Sequence, residues 1–376
     1  MTSIEPSFFI FRIIYLLSSQ DPSLWQIRLS YTIFKFIVFE ESRVSVMKTT
    51  IYQVAEKAGV SISTVSKVIN NTGRISEETR KKVKRIMKEL NFQPSVVASA
   101  LTGKQTKTIG FLISDISNPF YAEVARKVEN RSRELGFHVM MCSTDNEEEK
   151  EKNYLSLLTR QRVDGLIIAS EFHNTDILAE VIENQQLPVV LIASDIPKLP
   201  IHSVRVDDYQ GSYLATSHLV QLGHQRIAMI AEKIRSNHQR VVGYKDVLGE
   251  YDLPLYDEYV IYTEATHQRG YEAAMKLLSL ENRPTAIFAS NDLLATGIIK
   301  AAKNLDIEVP NKLSVVGFDN TILSTVITPA LTTIAQPVQE MASKVVDLLM
   351  EEMEQPSKYK QRLLFTPELI IRDSTL

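Results

Sequence analysis

From Thr108 onward, short strand-like runs alternate with longer amphipathic segments, and this alternation limits the possible folds more than any other feature. The run T-I-G-F-L-I begins at Thr108, and an amphipathic segment follows from Pro119 until Gly136 ends it. Later runs read F-H-V-M-M-C, D-G-L-I-I-A, P-V-V-L-I, S-V-R-V-D, R-I-A-M-I, T-A-I-F-A and L-S-V-V-G-F-D. Mostly apolar strands separated by helices are typical of parallel sheets covered on both faces.

About nine such units follow one another over residues 108–376, which is more than one sheet holds comfortably. We therefore predict an α/β body of two lobes with parallel sheets. Ligands of such sheets bind beyond the carboxyl ends of the strands, so the cleft between the lobes is the expected ligand site.

A helical pattern precedes the body. Apolar residues recur from Ile51 to Ala58, Gly59 interrupts them, and the pattern resumes from Val65 to Ile69. Two short helices with a tight glycine turn form a helix-turn-helix, and a plain helical hairpin in a core is the alternative. The second helix would present outward small or basic side chains suited to a major groove, namely Ser61, Ile62, Ser63, Ser66 and Lys67.

A basic third helix completes an all-α headpiece over residues 47–92. Ser76 is a plausible N-cap, and acidic residues follow it at the positive end of the helix. An apolar stripe that can cover the first two helices consists of Val83, Ile86, Met87 and Leu90. Residues 93–107 then allow one or two helical turns and a linker. A helix this short should order only when DNA or a symmetry mate packs on it.

The net charge of −3 conceals an uneven distribution. Residues 47–107 carry twelve Lys and Arg against four Glu, a balance of +8. Residues 1–46 carry four charges of each sign, which leaves −11 for residues 108–376. A basic head on an acidic body indicates that the head alone contacts a polyanion.

Residues 1–46 do not fit this organisation. The apolar stretch Ser7–Leu17 is interrupted by Arg12 and is too short to span a bilayer, and no secretory signal pattern is present. The helix-turn-helix pattern begins directly after Met47 and Lys48, as a start codon would place it. We expect a mis-assigned translation start or a poorly ordered extension, with a membrane anchor as the alternative.

Motifs of catalysis are missing from the sequence. The single cysteine, Cys142, excludes an intrachain disulfide and is expected to pack in or beside a strand. The seven His are scattered, and the sequence contains no P-loop, no G-x-S-x-G and no G-x-G-x-x-G after a strand. We therefore expect neither an enzyme nor a metal or cofactor.

Several motifs occur in a fixed order along the chain. They are V-A-x-x-A-G-V-S-x-x-T-V-S-x-V-I-N at Val54–Asn70, D-I-S-N-P-F-Y at Asp115–Tyr121, L-G-H-Q-R-I-A at Leu222–Ala228, R-V-V-G-Y at Arg240–Tyr244, S-N-D at Ser290–Asp292, V-V-G-F-D-N at Val315–Asn320 and T-P-A-L-T-T-I at Thr328–Ile334. In this order they resemble the LacI/GalR family of bacterial transcription regulators. The resemblance covers the chain from about Thr49 to its end.

This resemblance implies a cytoplasmic homodimer in which each headpiece reads half of a pseudo-palindromic operator. Ile62, Ser63 and Lys67 align with the base-reading positions of the family. Lys67 could donate to a guanine and Ile62 could contact a thymine methyl, whereas Ser63 is too short to be selective. The predicted DNA contacts are Thr50, Ser61, Ile62, Ser63, Thr64, Ser66, Lys67, Asn70 and Leu101.

The hinge segment departs from the family pattern. Leu101 aligns with the leucine that wedges between base pairs in the minor groove. Ser95 and Ser99 stand where the family often has Asn and Arg. Loss of that arginine removes a groove or phosphate contact, so hinge binding is expected to be weaker or differently specific.

By the same resemblance, the cleft residues lie after the first strand of the body and at strand ends or helix starts of the second lobe. They are Asp115, Ser117, Phe120, Tyr121, Arg240, Asn291, Asp292 and Asp319. An arginine fork with carboxylates, an amide and aromatic rings suits a sugar or sugar phosphate, and a nucleobase remains open.

A small-molecule effector would favour one arrangement of the lobes and so change the spacing of the hinge helices in the dimer. The sequence does not give the sign of this coupling. The strongest alternative is a solute-binding protein of a sugar transporter, which would have an export signal and no DNA-binding head.

Overall fold

The structure, a computed structural model, describes residues 49–69, 72–92 and 105–376. By its internal contacts the chain divides into two units, residues 1–98 and residues 99–376. The predicted extension over residues 1–46 and the hinge helix lie outside the described residues, as do Asn70, Ser95, Ser99 and Leu101.

The headpiece contains the three predicted helices α1 (Ile51–Ala58), α2 (Ile62–Ile69) and α3 (Glu77–Glu89). Gly59 turns the chain after α1 in a left-handed conformation with φ 62°, and its N–H donates to carbonyls of the last turn. Ser76 Oγ accepts from Thr79 N at 3.2 Å, which confirms the predicted N-cap of α3. A small core holds the helices together and consists of Val54, Ala55, Ala58, Val65, Val68, Val83 and Ile86.

The first lobe of the body carries a six-stranded sheet in the order β2-β1-β3-β4-β5-β11, with every neighbouring pair parallel. Its strands are β1 (Thr108–Ile113), β2 (His138–Ser143), β3 (Gly165–Ala169), β4 (Val189–Ile192), β5 (His202–Val206) and β11 (Arg362–Phe365). Its helices are α4 (Pro119–Glu134), α5 (Glu148–Arg160), α6 (Thr175–Gln185) and α12 (Val338–Glu354).

A second six-stranded sheet forms the other lobe, in the order β7-β6-β8-β9-β10-β12, where only the β10–β12 pair is antiparallel. Its strands are β6 (Ile227–Ala231), β7 (Val260–Tyr262), β8 (Ala286–Ala289), β9 (Ser314–Asp319), β10 (Thr332–Ala335) and β12 (Glu368–Ile370). Its helices are α7 (Asp208–Gln221), α8 (Arg235–Glu250), α9 (His267–Leu278), α10 (Asp292–Asn304) and α11 (Leu323–Val326), with a 3₁₀ turn at Asp257–Tyr259.

The predicted two-lobed body with parallel sheets is confirmed, and each sheet is covered on both faces. Along β1, Ile109, Phe111 and Ile113 pack on one side of the sheet, while Leu112 packs on the other. All four are fully buried, as a strand inside a covered parallel sheet requires. Cys142 lies in β2 and is buried, as expected from its apolar run.

One feature of the connectivity was not predicted. The chain passes between the lobes three times, at residue 207, at residues 336–337 and at residues 366–367. The late helix α12 therefore packs in the first lobe, against α4 and the strands β3, β4 and β5. Each lobe is built from two separate stretches of sequence.

Among the described helices, none has the length and apolar character needed to cross a membrane. Within the described ranges, no group of His, Cys, Asp or Glu is arranged to hold a metal ion.

Candidate functional site

A cleft of about 800 Å³ lies between the two lobes of the body. Its inner wall comes from residues at the carboxyl ends of strands in both sheets and from the second crossing segment. These residues are Ser114, Asp115, Ser170, Ser194, Glu232, Asn291, Asp319 and Gln336. The cleft thus lies where the topology of two parallel sheets predicts it.

Arg240 on α8 is the central cation of the cleft. Its Nε and Nη2 both approach Asp208 Oδ1, at 2.9 and 2.8 Å, and Nη1 donates to the Ser290 carbonyl. The guanidinium also lies 3.5 Å from the centroid of the Phe318 ring, a cation–π contact. Both Arg240 and Asp208 are buried, so this pair holds the floor of the cleft in one arrangement.

Asp319 ends β9 at the inner end of the cleft. Its φ of 106° is rare for any residue other than glycine, and such strain is often found at ligand sites. Gln336 Nε2 donates to Asp319 Oδ1 at 2.7 Å. Burial raises the pKa of Asp319 well above its ordinary value, although the positive charge of Arg240 opposes this.

Glu232 follows β6 and faces the same space. Its carboxylate accepts from Asn291 Nδ2 at 3.2 Å, and its backbone N–H donates to Asn237 Oδ1 at 3.0 Å. Burial raises the pKa of Glu232 to about 7, again against the effect of Arg240. Glu232, Asn237 and Gln336 were not predicted as cleft residues.

The aromatic wall of the cleft belongs to α4. Asn118 caps this helix by accepting from Phe120 N at 3.1 Å, and Pro119 occupies its first position. The rings of Phe120 and Tyr121 pack edge to face, with centroids 5.2 Å apart. Burial, and then the charge of Glu232, raises the pKa of Tyr121, so its hydroxyl remains protonated and able to donate.

Of the eight predicted cleft residues, six line the cleft and two do not. Ser117 is exposed beside it and donates from its N–H and its hydroxyl to Asp115, each at 2.8 Å. Asp292 is fully buried behind the wall. Its oxygens accept from Thr333 Oγ1 at 2.6 Å and from Thr321 N and Oγ1 at 2.6 and 2.9 Å. We therefore do not carry Ser117 and Asp292 forward as ligand contacts.

The lobes also contact each other directly at the rim of the cleft. Glu171, just after β3, accepts a hydrogen bond from the backbone N–H of Arg235, the first residue of α8. Ile234, the residue at the N-cap position of α8, makes no side-chain cap hydrogen bond. A carboxylate of one lobe therefore caps a helix of the other, where the helix dipole favours negative charge.

On the headpiece, the predicted groove-facing side chains are accessible. Ser61, Ile62, Ser63 and Lys67 are exposed, and Ile62 keeps 41% of its surface. Thr64 and Ser66 are partly buried, and Thr50 is exposed beside α1. The exposed Tyr52, which keeps 67% of its surface, was not predicted to contact DNA.

The side chain of Lys67 is positioned by the turn that follows α2. A Cβ atom placed on Gly73 would lie only 3.2 Å from Lys67 Cδ, so the lysine stem passes close over this glycine.

At the start of α2, three hydroxyl groups contact one another: Ser61 Oγ lies 2.8 Å from Ser63 Oγ and 2.9 Å from Thr64 Oγ1. These contacts order the start of α2, where residues that enter a major groove are expected.

A helix-turn-helix head joined to a two-lobed α/β body with a polar cleft defines a class of protein, the ligand-responsive transcriptional regulators. The comparisons agree. The model of a protein family described as "Bacterial regulatory proteins, lacI family" matches residues 50–95. A second family model, described as "Periplasmic binding protein-like domain", matches residues 216–375. The HTH-type transcriptional regulator DegA of Bacillus subtilis (strain 168) is 45% identical over 333 residues, which covers 88% of this chain and 98% of DegA.

Solved structures give the same result. A Lac repressor dimer bound to operator and the anti-inducer ONPF has a TM-score of 0.78 at 31% identity, covering 87% of this chain and 99% of that one. A LacI family regulator from Enterococcus faecium with bound ribose has a TM-score of 0.65 at 34% identity, covering 71% of this chain and 98% of that one. The chain belongs to the LacI family of bacterial transcriptional regulators, which are not enzymes, and the resemblance described above is confirmed.

Proposed function

We propose that the chain is a homodimeric, cytoplasmic repressor whose operator affinity is set by a sugar-like metabolite bound between the lobes. One observation carries the proposal: a chain with an exposed recognition helix also contains an interlobe cleft of about 800 Å³. That volume suits a small polar ligand. A bacterial repressor acts on DNA in the cytoplasm, so we infer the same location for this protein.

On the DNA side, we assign Ile62 and Lys67 to base edges and Ser61, Ser63, Thr64 and Ser66 to positioning. Lys67 is exposed, and its stem lies over Gly73, so its ammonium is free to reach guanine O6 and N7. Thr50, already predicted to contact DNA, is exposed at the start of α1 and is assigned to a phosphate, and the exposed Tyr52 is added as a second phosphate contact. Asn70 and Leu101 remain predicted contacts.

In the cleft, the effector contacts we propose are Asp115, Phe120, Tyr121, Arg240, Asn291 and Asp319. Asp319 and Asn291 supply an acceptor and an amide at the inner end, and the α4 rings can cover a sugar face. The Enterococcus faecium structure with ribose supports a sugar as the kind of ligand.

Coupling between the two sites would act through the angle between the lobes. An effector that prefers one angle shifts the population of that arrangement, and the hinge segments of the dimer would then move together or apart. A coupling free energy of about 1–3 kcal/mol corresponds to a roughly 5–150-fold change in operator affinity.

Selection of bound duplexes from sheared genomic DNA at moderate salt tests the proposal. The expected result is a two-fold-symmetric site whose affinity falls steeply as salt rises, because phosphate contacts release counterions. Sugars are then titrated against that site. Recovery of random fragments alone, in the absence and presence of the sugar panel, would contradict a sequence-specific repressor.

A further inference from the structure

The inner end of the cleft contains polar atoms that the protein itself leaves without partners. Gln336 is 9% exposed, and although its Nε2 donates to Asp319, its Oε1 has no hydrogen-bond partner within the described ranges. Ser170, 1% exposed on the opposite lobe, has an Oγ that no described residue bonds. Buried polar groups are normally hydrogen-bonded, so these two atoms point to a ligand that completes them.

Glu232 adds a further acceptor at this end. Within the described part of the chain, the only side-chain donor on its carboxylate is the neutral amide of Asn291. Asp319 likewise accepts from the neutral amide of Gln336. Two carboxyl groups thus face the ligand space, and among the described residues neither forms a hydrogen-bonded ion pair.

The cation nearest to these carboxylates is already engaged. Arg240 uses Nε and Nη2 on Asp208 and Nη1 on the Ser290 carbonyl. Its charge is therefore largely balanced by Asp208, and little of it is left to attract an anionic group. A phosphate placed beside Glu232 and Asp319 would meet two carboxyl groups and an arginine that is already paired. Arg205 also lines the cleft, but it lies between Asp195 and Asp208, with Nη2 3.9 Å from Asp195 Oδ2.

We propose that Glu232 is the specificity-determining residue of the cleft, which selects a donor-rich, unphosphorylated polyol or sugar over its phosphorylated counterpart. The inference rests on the proposed sugar effector and narrows it. Hydroxyl groups can donate to Glu232, Asp319 and Gln336 Oε1, whereas a phosphate dianion brings acceptors and negative charge to the same atoms.

Calorimetric titration of the full chain at pH 8, above the raised pKa of Glu232, tests this assignment with matched pairs, ribose with ribose 5-phosphate and glucose with glucose 6-phosphate. In any pair that binds, we expect at least 10-fold tighter binding of the unphosphorylated member. Glu232→Gln keeps the side-chain shape and an acceptor for Asn291 but removes the charge. The ratio of the affinity for the unphosphorylated sugar to that for its phosphorylated counterpart should therefore fall at least 5-fold. Glu281→Gln is the control, because Glu281 is an exposed glutamate that does not line the cleft, so the affinity ratio should stay within 2-fold.

The outcomes separate the two proposals. Tighter binding of the phosphorylated member, or a ratio that Glu232→Gln leaves unchanged, would overturn the role of Glu232 and leave the sugar effector standing. Titrations in which no member of either pair binds would count against the sugar-like effector and therefore against both. The comparison within the wild-type protein needs no variant, so it decides the question even if Glu232→Gln folds poorly.

Discussion

The guanidinium of Arg240 lies 3.5 Å from the centroid of the Phe318 ring. Phe318 belongs to β9 and Arg240 to α8, so this stacking connects a helix to the strand that ends in Asp319. Together with the ion pair to Asp208, the contact fixes the arginine between a ring and a carboxylate. Lysine cannot reproduce this geometry, because an ammonium lacks the planar fork.

Arg240→Lys should therefore lower the stability of the body by about 2–4 kcal/mol, since it leaves the buried Asp208 Oδ1 without the two N–H groups that reach it. Urea unfolding at neutral pH measures the change. Adding Asp208→Asn to the variant should recover part of the loss, because the unpaired buried charge is then removed. A loss below about 0.5 kcal/mol for Arg240→Lys would show that the pair is not structural.

Asp292→Ala should lower the free energy of unfolding by about 2–5 kcal/mol, because the Thr321 N–H and hydroxyl and the Thr333 hydroxyl lose their acceptor in a buried site. Sugar affinity of the folded protein should stay within about 2-fold, since Asp292 does not line the cleft. Chemical unfolding and calorimetry give the two numbers. A large loss of affinity with unchanged stability would restore Asp292 as a ligand contact.

Stability should depend on pH through Glu232, whose pKa burial raises from 4.5 to about 7. Between these values the native state holds more protons than the unfolded chain, so stability falls as pH rises through this window. The Glu232→Gln variant has no carboxyl group to ionise at this position, so its stability should not fall in this way. The variant should match the wild type near pH 4.5 and become more stable by about 2 kcal/mol at pH 8, allowing for partial exposure.

Unfolding curves at several pH values measure that difference. The ionisable groups that face Glu232 are Arg240, Glu171, Tyr121 and Asp319. They are present in both proteins, so the difference isolates Glu232. A difference that stays constant from pH 4.5 to 8 would mean that the carboxyl ionises as it does in water.

Glu171→Gln should favour separation of the lobes, because a charged cap on the N-terminus of α8 becomes a neutral one. Such a change is worth about 0.3–1 kcal/mol. Small-angle scattering of the ligand-free protein should show a larger radius of gyration, and sugar affinity should fall about 2–5-fold. Glu183→Gln, on the exposed side of α6, is the matched control and should change neither quantity.

Lys67→Ala should weaken binding to the selected operator by about 1–3 kcal/mol while leaving binding to random duplex nearly unchanged. Lys88→Ala, the control, removes the same charge from the last turn of α3. It should leave the ratio of operator affinity to random-duplex affinity unchanged. Fluorescence anisotropy at fixed salt measures both. Equal losses on both duplexes for Lys67→Ala would make Lys67 a phosphate contact.

The alternation of strands and helices was predictable because each covered strand leaves a run of apolar residues, as in β1 and β9. The sheet order and the return of α12 to the first lobe were not. Val345, Val346 and Leu349 mark a buried helix face, but periodicity does not tell which sheet that face covers. Only the long-range packing on β3, β4 and β5 decides it.

The candidate site was predictable in part. Glu232 follows the run R-I-A-M-I-A much as Asp115 follows the run of β1. The expectation that polar residues just after a strand line the cleft, which selected Asp115, therefore applies to Glu232 as well. Asp292 illustrates the opposite limit. A carboxylate at a helix start can face a ligand or its own fold, and the choice depends on Thr321 and Thr333, which are distant in sequence.

Residues 362–376 bear on the order in which the two units of the protein fold. They supply β11 to one sheet and β12 to the other, and Ser374 donates to the Val315 carbonyl and accepts from Thr332 N. Neither lobe can complete its sheet until these residues have left the ribosome. The three helices of the headpiece, by contrast, end at Glu89. During synthesis the DNA-reading unit can therefore fold long before the part of the protein that would regulate it.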